Sequence, residues 1–301
     1  MILPWDLPWA DYEYILSHTH GILFPGGDVD IIHHNDFNDR MKKTLSFVKA
    51  RNDKGNYYFA IGICMGFEIL LEQTAGTSSI LDSGYKHFTT GGVEIVDHVA
   101  LQKSDFFGKG RARALLKKWL GRSDGLLYAH NDGVSVQHFN THLSDKHYLI
   151  ATGSSNGGKK FVAMTSSKKY PIFTTQFHPE KNQFEKRRGK YNKLNRKPQV
   201  VEVLEGWMIN IVRTSRAKRN YEFDFLTLPA QVKNYHSWNF ISYPWNTDLF
   251  EQGVLLGKMS ACGRETPCHE YVISDEMENQ MIAVYQHVKK TTSMFFVSKK
   301  Y

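Results

Sequence analysis

The sequence predicts an α/β fold, a parallel sheet covered by helices, and three observations carry that expectation. Short apolar runs alternate with amphipathic segments, turn-forming glycines follow the apolar runs, and 301 residues with 41% apolar and 23% charged side chains are enough for one large domain or two small ones. Gly21-Ile-Leu-Phe24 is the first buried strand and stops at Pro25-Gly26-Gly27. Residues 36–51 carry Phe37, Met41, Leu45 and Val48 at helical spacing with charges between them, the pattern of an amphipathic helix. Residues 57–62 form the next strand and 67–73 the next helix, so two βα units follow one another. Strands are expected at 91–101, 161–165 and 171–177, a flexible loop at 152–160 (TGSSNGGKK), and a helix at 199–214. There is no internal repeat, and beyond Gly257 the periodicity fades and assigns no element.

Composition removes several classes of function. No run approaches the roughly 18 apolar residues that cross a bilayer, and the first eight residues have neither the basic leader nor the apolar stretch of a signal peptide. Three cysteines, Cys64, Cys262 and Cys268, are too few for a disulfide framework and lack the paired spacing of a metal site. The formal charge of +8 arises almost wholly between Lys186 and Lys197, where seven cations stand with no acid and a single aromatic, Tyr191. A nucleic-acid surface spreads its cations and interleaves aromatics, so a solvated basic loop is the reading here and a polyanion site the alternative.

Chemistry concentrates at Gly62-Ile-Cys64-Met-Gly66-Phe-Glu68, a cysteine between a strand and a helix. Such a sharp turn needs small residues two positions before and after the nucleophile so that the backbones can pass, and Gly62 and Gly66 satisfy this. A helix starting beyond Cys64 aims N–H groups and a positive dipole end at the sulfur, which favours a thiolate with a depressed pKa. The plainer alternative is a buried core cysteine. His178, in Gln176-Phe-His178-Pro-Glu180, is the candidate base, and Glu180, two residues on along a strand, would share its side and orient the ring. Glycines in Phe24-Pro25-Gly26-Gly27 would let backbone N–H groups, with that of Met65, form an oxyanion hole.

The segments FPGG, GICMGFE and TTQFHPEKNQFE together resemble the class I glutamine amidotransferase-like superfamily and, within it, the gamma-glutamyl hydrolase family. The resemblance runs from about Leu3 to about Leu256 and implies a three-layer α/β sandwich with a mostly parallel central sheet. It implies a catalytic domain over 1–256 and leaves 257–301 as an unassigned tail. It further implies hydrolysis of γ-glutamyl bonds in poly-γ-glutamylated folates through a thioester, with no cofactor and no metal. Carried over by motif, Cys64 is the nucleophile, His178 the base and Glu180 its orienting acid. Gly27 and Met65 supply the oxyanion N–H groups, while Gly26, Glu68, His130 and Gln176 line the substrate cleft.

Some features depart from the family pattern. The strand and helix that open family members have no counterpart before Leu3, and a longer product, a partner-assisted chain or an inactive one would each follow from that. Phe184-Glu185-Lys186 opens the basic run where the family has an aromatic residue, changing one wall of the cleft. The implied partner is a small poly-γ-glutamyl substrate; neither a membrane nor nucleic acid is expected, and a homodimer is compatible. The family is lysosomal or secreted, although the chain contains no Asn-x-Ser/Thr sequon. A catalytically silent subunit and a glutaminase subunit feeding a synthetase stand as alternatives.

Overall fold

Pro8 fixes the backbone ahead of a segment in which Tyr12, Ile15 and Leu16 recur at helical spacing; these bury one face of helix α1 (Trp9–Ser17). The chain then forms strand β1 (Gly21–Phe24) and a long amphipathic helix, α2 (Asn35–Asp53), started by the His34 ring accepting from the Phe37 N–H and burying Phe37, Met41, Thr44, Leu45 and Val48. These elements come from a computed structural model that describes residues 3, 5–27, 29, 31–86, 90–104, 106–107, 125–184 and 194–217. They belong to one compact unit, Trp5–Glu185 with Gly189–Leu226. A second unit comprises Met1–Pro4, Lys186–Arg188 and Thr227–Tyr301, of which only Leu3 is described. The expected tail from Gly257, with Cys262 and Cys268, lies outside the described residues.

The buried run β2 (Phe59–Ile63) leads directly into α3 (Met65–Ala75), whose stop is Gly76 in the left-handed conformation at φ 79°. A 3₁₀ turn (Ser78–Ile80) and the short strands β3 (Leu81–Asp82), β4 (Thr90–Gly91) and β5 (Glu94–Ile95) follow. Next come α4 (His98–Lys103), β6 (Leu126–Leu127), β7 (Gly133–Val134) and α5 (Val136–His142). The described part closes with β8 (His147–Ser154), β9 (Lys160–Ser167), β10 (Ile172–Thr175), α6 (Lys181–Phe184) and α7 (Pro198–Ala217).

Six strands make the central sheet in the order β1-β2-β10-β9-β8-β5. β1, β2 and β10 run parallel, and β9, β8 and β5 continue antiparallel, so the sheet is mixed, with the parallel half carrying the two βα units. Alternation along the strands feeds two cores. Phe161 and Ala163 of β9 join Ile61, Ile63 and Phe173 against Val200, Val203, Leu204 and Trp207 of α7. Val162, between them, turns to the other face and meets Phe67 and Leu71 of α3 and Phe139 of α5. Helices therefore cover both faces, the three layers expected of the α/β class. Among the described residues no helix is long and apolar enough to cross a membrane.

Two expectations need correction. The stretch 91–101 is not one strand: the Asp97 carboxylate accepts from the Val99 and Ala100 N–H groups, and this N-cap starts α4 where the apolar pattern suggested continued β structure. Residues 152–160 are not a loop. Thr152–Ser154 complete β8, Lys160 begins β9, and the turn between them closes with Ser155 N–H on Lys159 O at 3.0 Å.

Candidate active site

The sequence GICMG builds a strained turn. Cys64, between β2 and α3, has φ 55° and ψ −113°, a sparsely populated conformation for a residue with a Cβ that costs roughly 1–3 kcal/mol. It is held by Cys64 N–H donating to Thr175 O of β10 at 2.8 Å and by Glu68 N–H closing the first helical turn on Cys64 O. A Cβ on Gly62 would collide with the Gly66 backbone and the Leu70 side chain, and one on Gly66 with the Phe24 carbonyl. Both glycines are thus required for α3 to cross β1 and β2 closely enough to present the sulfur.

His178 comes to the Gly26 side of Cys64 from β10's continuation. That strand ends at Thr175; an isolated bridge then pairs His178 with Leu127, with His178 N–H donating to Leu127 O at 2.8 Å. His178 Nδ1 lies 2.8 Å from Glu180 Oε1. A carboxylate can only accept, so Nδ1 donates its hydrogen to Glu180 and Nε2 is left as the ring nitrogen that can exchange a proton with the thiol. The pair arises from the turn after His178 rather than from two positions on one strand, which corrects the geometric reason while keeping the contact. Burial, the largest single influence, raises the Glu180 carboxyl, but His178, a backbone N–H and Lys181 together outweigh it and the net pKa lies below its ordinary value. A Cβ at Gly26 would meet His178 Cε1 at 2.6 Å and Cys64 Cβ at 3.4 Å, so cysteine and histidine flank the same glycine. At Gly27 it would meet Met65 Cε at 2.8 Å, which sets the two expected oxyanion residues side by side.

The thiol departs from the expected depressed pKa. Burial pushes Cys64 well above its ordinary value, the nearby Glu68 adds to that, and the Met65 N–H and Lys181 pull only partly the other way. Its Sγ donates to Ala129 O at 3.6 Å. The resting cysteine is a buried thiol because desolvation outweighs the helix start.

The remaining expected residues gather beside it. Gln176 Nε2 donates to Glu68 Oε1 at 2.9 Å, and both side chains are buried. Burial, together with Asp132, raises the Glu68 carboxyl to about 8 against the lowering effect of Gln176. Gln176 Oε1 is buried with no partner among the described residues. The His130 ring is buried against Phe161 at 4.7 Å, with Nδ1 on Asp132 O at 2.7 Å. Sequence reasoning missed Ala129, Asp132, Tyr85 and Lys159. Tyr85 stands 5.8 Å from the His130 ring centroid, and Lys159 Nζ lies 4.1 Å over Tyr85. No local motif announces these residues, because only the fold brings Ala129 to the cysteine, Asp132 to Glu68, Tyr85 to His130 and Lys159 to Tyr85. Of the basic run, Lys186, Arg187, Arg188, Lys190 and Lys193 lie outside the described residues, as does the altered wall at Glu185. Among the described residues no group of three or more His, Cys, Asp or Glu is placed to hold a metal ion.

A model of the glutamine amidotransferase class-I family matches residues 2–193. Gamma-glutamyl hydrolase 2 of Arabidopsis thaliana is 30% identical over 172 residues, which are 56% of this chain and 48% of that protein. Gamma-glutamyl hydrolase of Bos taurus is 25% identical over 262 residues, 83% of this chain and 76% of that one. The chain thus spans about half the length of the plant relatives it matches. Among solved structures, the glutaminase domain of Trypanosoma brucei CTPS aligns over 74% of this chain and 82% of that one, with TM-score 0.43 and 13% identity.

Proposed function

The chain belongs to the class I glutamine amidotransferase family, and on that premise we propose that it hydrolyses γ-glutamyl bonds, with poly-γ-glutamylated folates as the substrate class. One observation carries the reading: Cys64 and His178 flank Gly26, and Glu180 stands 2.8 Å behind the imidazole, holding its hydrogen on Nδ1. Relatives named gamma-glutamyl hydrolase point the same way.

Because the resting thiol is neutral, proton transfer to His178 Nε2 accompanies attack of sulfur on the γ-carbonyl carbon rather than preceding it. For this the sulfur leaves the Ala129 carbonyl and turns to the imidazole. The tetrahedral oxyanion is met by the N–H groups of Gly27 and Met65. Its collapse breaks the C–N bond, and the imidazolium, stabilised by Glu180, gives its proton to the departing amine. A thioester on Cys64 remains. Water, deprotonated by His178, attacks it, and the γ-carboxylate leaves as the thiol is restored. Gln176 Oε1, buried without a partner among the described residues, is an acceptor for an N–H of the glutamyl residue.

The second reading is a catalytically silent family member, favoured by the buried, raised thiol and its bond to Ala129. Acid quenching during turnover of a γ-glutamyl dipeptide, followed by peptide mapping, separates the two. The hydrolase yields free amine and an acyl group on the Cys64 peptide; no amine release and no acyl-peptide would overturn it. A lysosomal or secreted compartment follows from the same family reading and is tested by locating the tagged protein in cells.

A further inference from the structure

Lys159 is presented over Tyr85 by an ordered turn. Gly158, at φ +79°, turns the chain, Gly158 N–H donates to Ser155 O at 2.8 Å, and Lys159 N–H donates to Ser155 Oγ at 3.2 Å. The two consecutive lysines then diverge. Lys160 is neutralised by Glu94 at 3.0 Å, whereas Lys159 Nζ donates to the Ser83 carbonyl at 3.2 Å and caps the face of Tyr85 at 4.1 Å. Among the described residues no carboxylate lies within ion-pair distance of Lys159; Asp82, beside Ser83, stands 3.5 Å from the His138 ring and also acts on the Tyr85 hydroxyl. An ammonium group has three donors, and one is spent on Ser83.

The Tyr85 ring below Lys159 is buried and packs beside two of the residues expected to bind substrate. It stands 5.8 Å from the His130 ring, and a Cβ on Gly133 would lie between Tyr85, at 3.4 Å, and Gln176 Oε1, at 3.2 Å. Gln176 in turn holds Glu68, in the first turn of the helix that presents Cys64. A series of contacts thus links the helix that presents the nucleophile to a cation that has no carboxylate within ion-pair distance among the described residues. A γ-glutamyl chain carries one free α-carboxylate per residue, the complement of such a cation.

We propose that Lys159, seated on Tyr85 and Ser83, forms a subsite for an α-carboxylate of the γ-glutamyl chain. The subsite rests on the hydrolase reading and adds to it a residue that selects free carboxylates. Lys159 is a binding residue, outside the reacting atoms, so its loss changes KM and leaves kcat.

The test compares tri-γ-glutamate with the same peptide whose α-carboxylates are converted to amides, using the parent protein, Lys159→Met and Lys159→Arg. Methionine keeps an unbranched apolar side chain over Tyr85 and removes the charge. Expected is a roughly fivefold rise in KM for Lys159→Met on the free acid, the scale of one partly exposed ion pair, with kcat unchanged. The amide should show no rise, arginine should restore the parent KM, and added salt should narrow the gap between parent and Lys159→Met. An equal change on both peptides, or none on either, overturns the subsite while leaving the hydrolase standing. Failure of the parent to cleave either peptide overturns the hydrolase reading, and the subsite with it.

Discussion

At Cys64 two influences oppose each other: the start of α3 favours a thiolate, while burial and the Glu68 carboxylate favour the thiol and prevail. Iodoacetamide should therefore label Cys64 slowly near pH 6 and faster as pH rises, and rapid labelling at pH 6 would show that the helix start dominates after all. Glu68, raised to about 8, is itself largely protonated at neutral pH. Glu68→Gln should hence leave the labelling rate unchanged at pH 6 and speed it above about pH 8, where the parent carries the extra negative charge. In turnover, Cys64→Ala should abolish hydrolysis with substrate binding kept, and retention of a tenth of the rate would remove Cys64 as nucleophile. Glu180→Gln should cost less than His178→Ala, since the acid orients the ring without transferring the proton; equal losses would assign Glu180 a different role. Cys64, His178 and Glu180 were legible because their requirements are local: glycines two residues either side of the nucleophile, and an acid two residues after the base. Tyr85 and Lys159 were not, because they become neighbours only through β3, β7 and the β8–β9 turn.

Where α3 crosses the parallel strands, the packing leaves no room for a side chain at Gly66, which faces the Phe24 carbonyl. Gly66→Ala forces the helix away from β1 and should destabilise the protein by about 2–3 kcal/mol or more while displacing the sulfur. Gly55 is the control, because at φ 77° it has nothing within 4 Å of a new Cβ. Gly55→Ala pays only for backbone conformation, about 1 kcal/mol. Urea midpoints of the two variants check this, and equal shifts would mean that the close approach is not the constraint. Legibility at this scale followed periodicity. α2 repeats its apolar residues cleanly and was readable, whereas β8 (HYLIATGS) ends in small polar residues that mimic a loop and pairs with β9 across the whole hairpin. The start of α4 depends on one capping carboxylate, Asp97, within an apolar run that reads equally well as strand.

Across the molecule, three buried titratable groups set opposing pH dependences. Burial raises Glu68 from 4.5 to about 8 and Glu72, one helical turn on, from 4.5 to about 7. Each carboxyl binds its proton more tightly folded than unfolded, so its contribution is fully present below pH 4.5 and is lost as pH rises through the folded value. His147 behaves oppositely. Buried beside Thr165, whose hydroxyl bonds to Thr174, it is lowered from 6.5 to about 3 by burial first and by Lys49 and Lys146 after that. The folded state keeps this ring neutral while the unfolded chain protonates it, so stability is lost as pH falls from 6.5 towards 3. Glu180, held below its ordinary value, also loses its contribution on acidification. Between pH 4.5 and 6.5 two carboxyls oppose one imidazole, and above 6.5 the carboxyls act alone. The melting temperature should therefore peak at about pH 5 and fall towards pH 8, the reverse of a protein whose buried acids are ion-paired. Glu68→Gln should flatten the alkaline fall, and Glu68→Gln with Glu72→Gln should remove most of it while leaving the acid limb, which belongs to His147 and Glu180. Thermal melts from pH 3.5 to 9 at constant ionic strength decide the matter: a parent melting temperature that climbs from pH 5 to 8 would mean that these carboxyls are ionised in the folded protein and balanced by charges elsewhere.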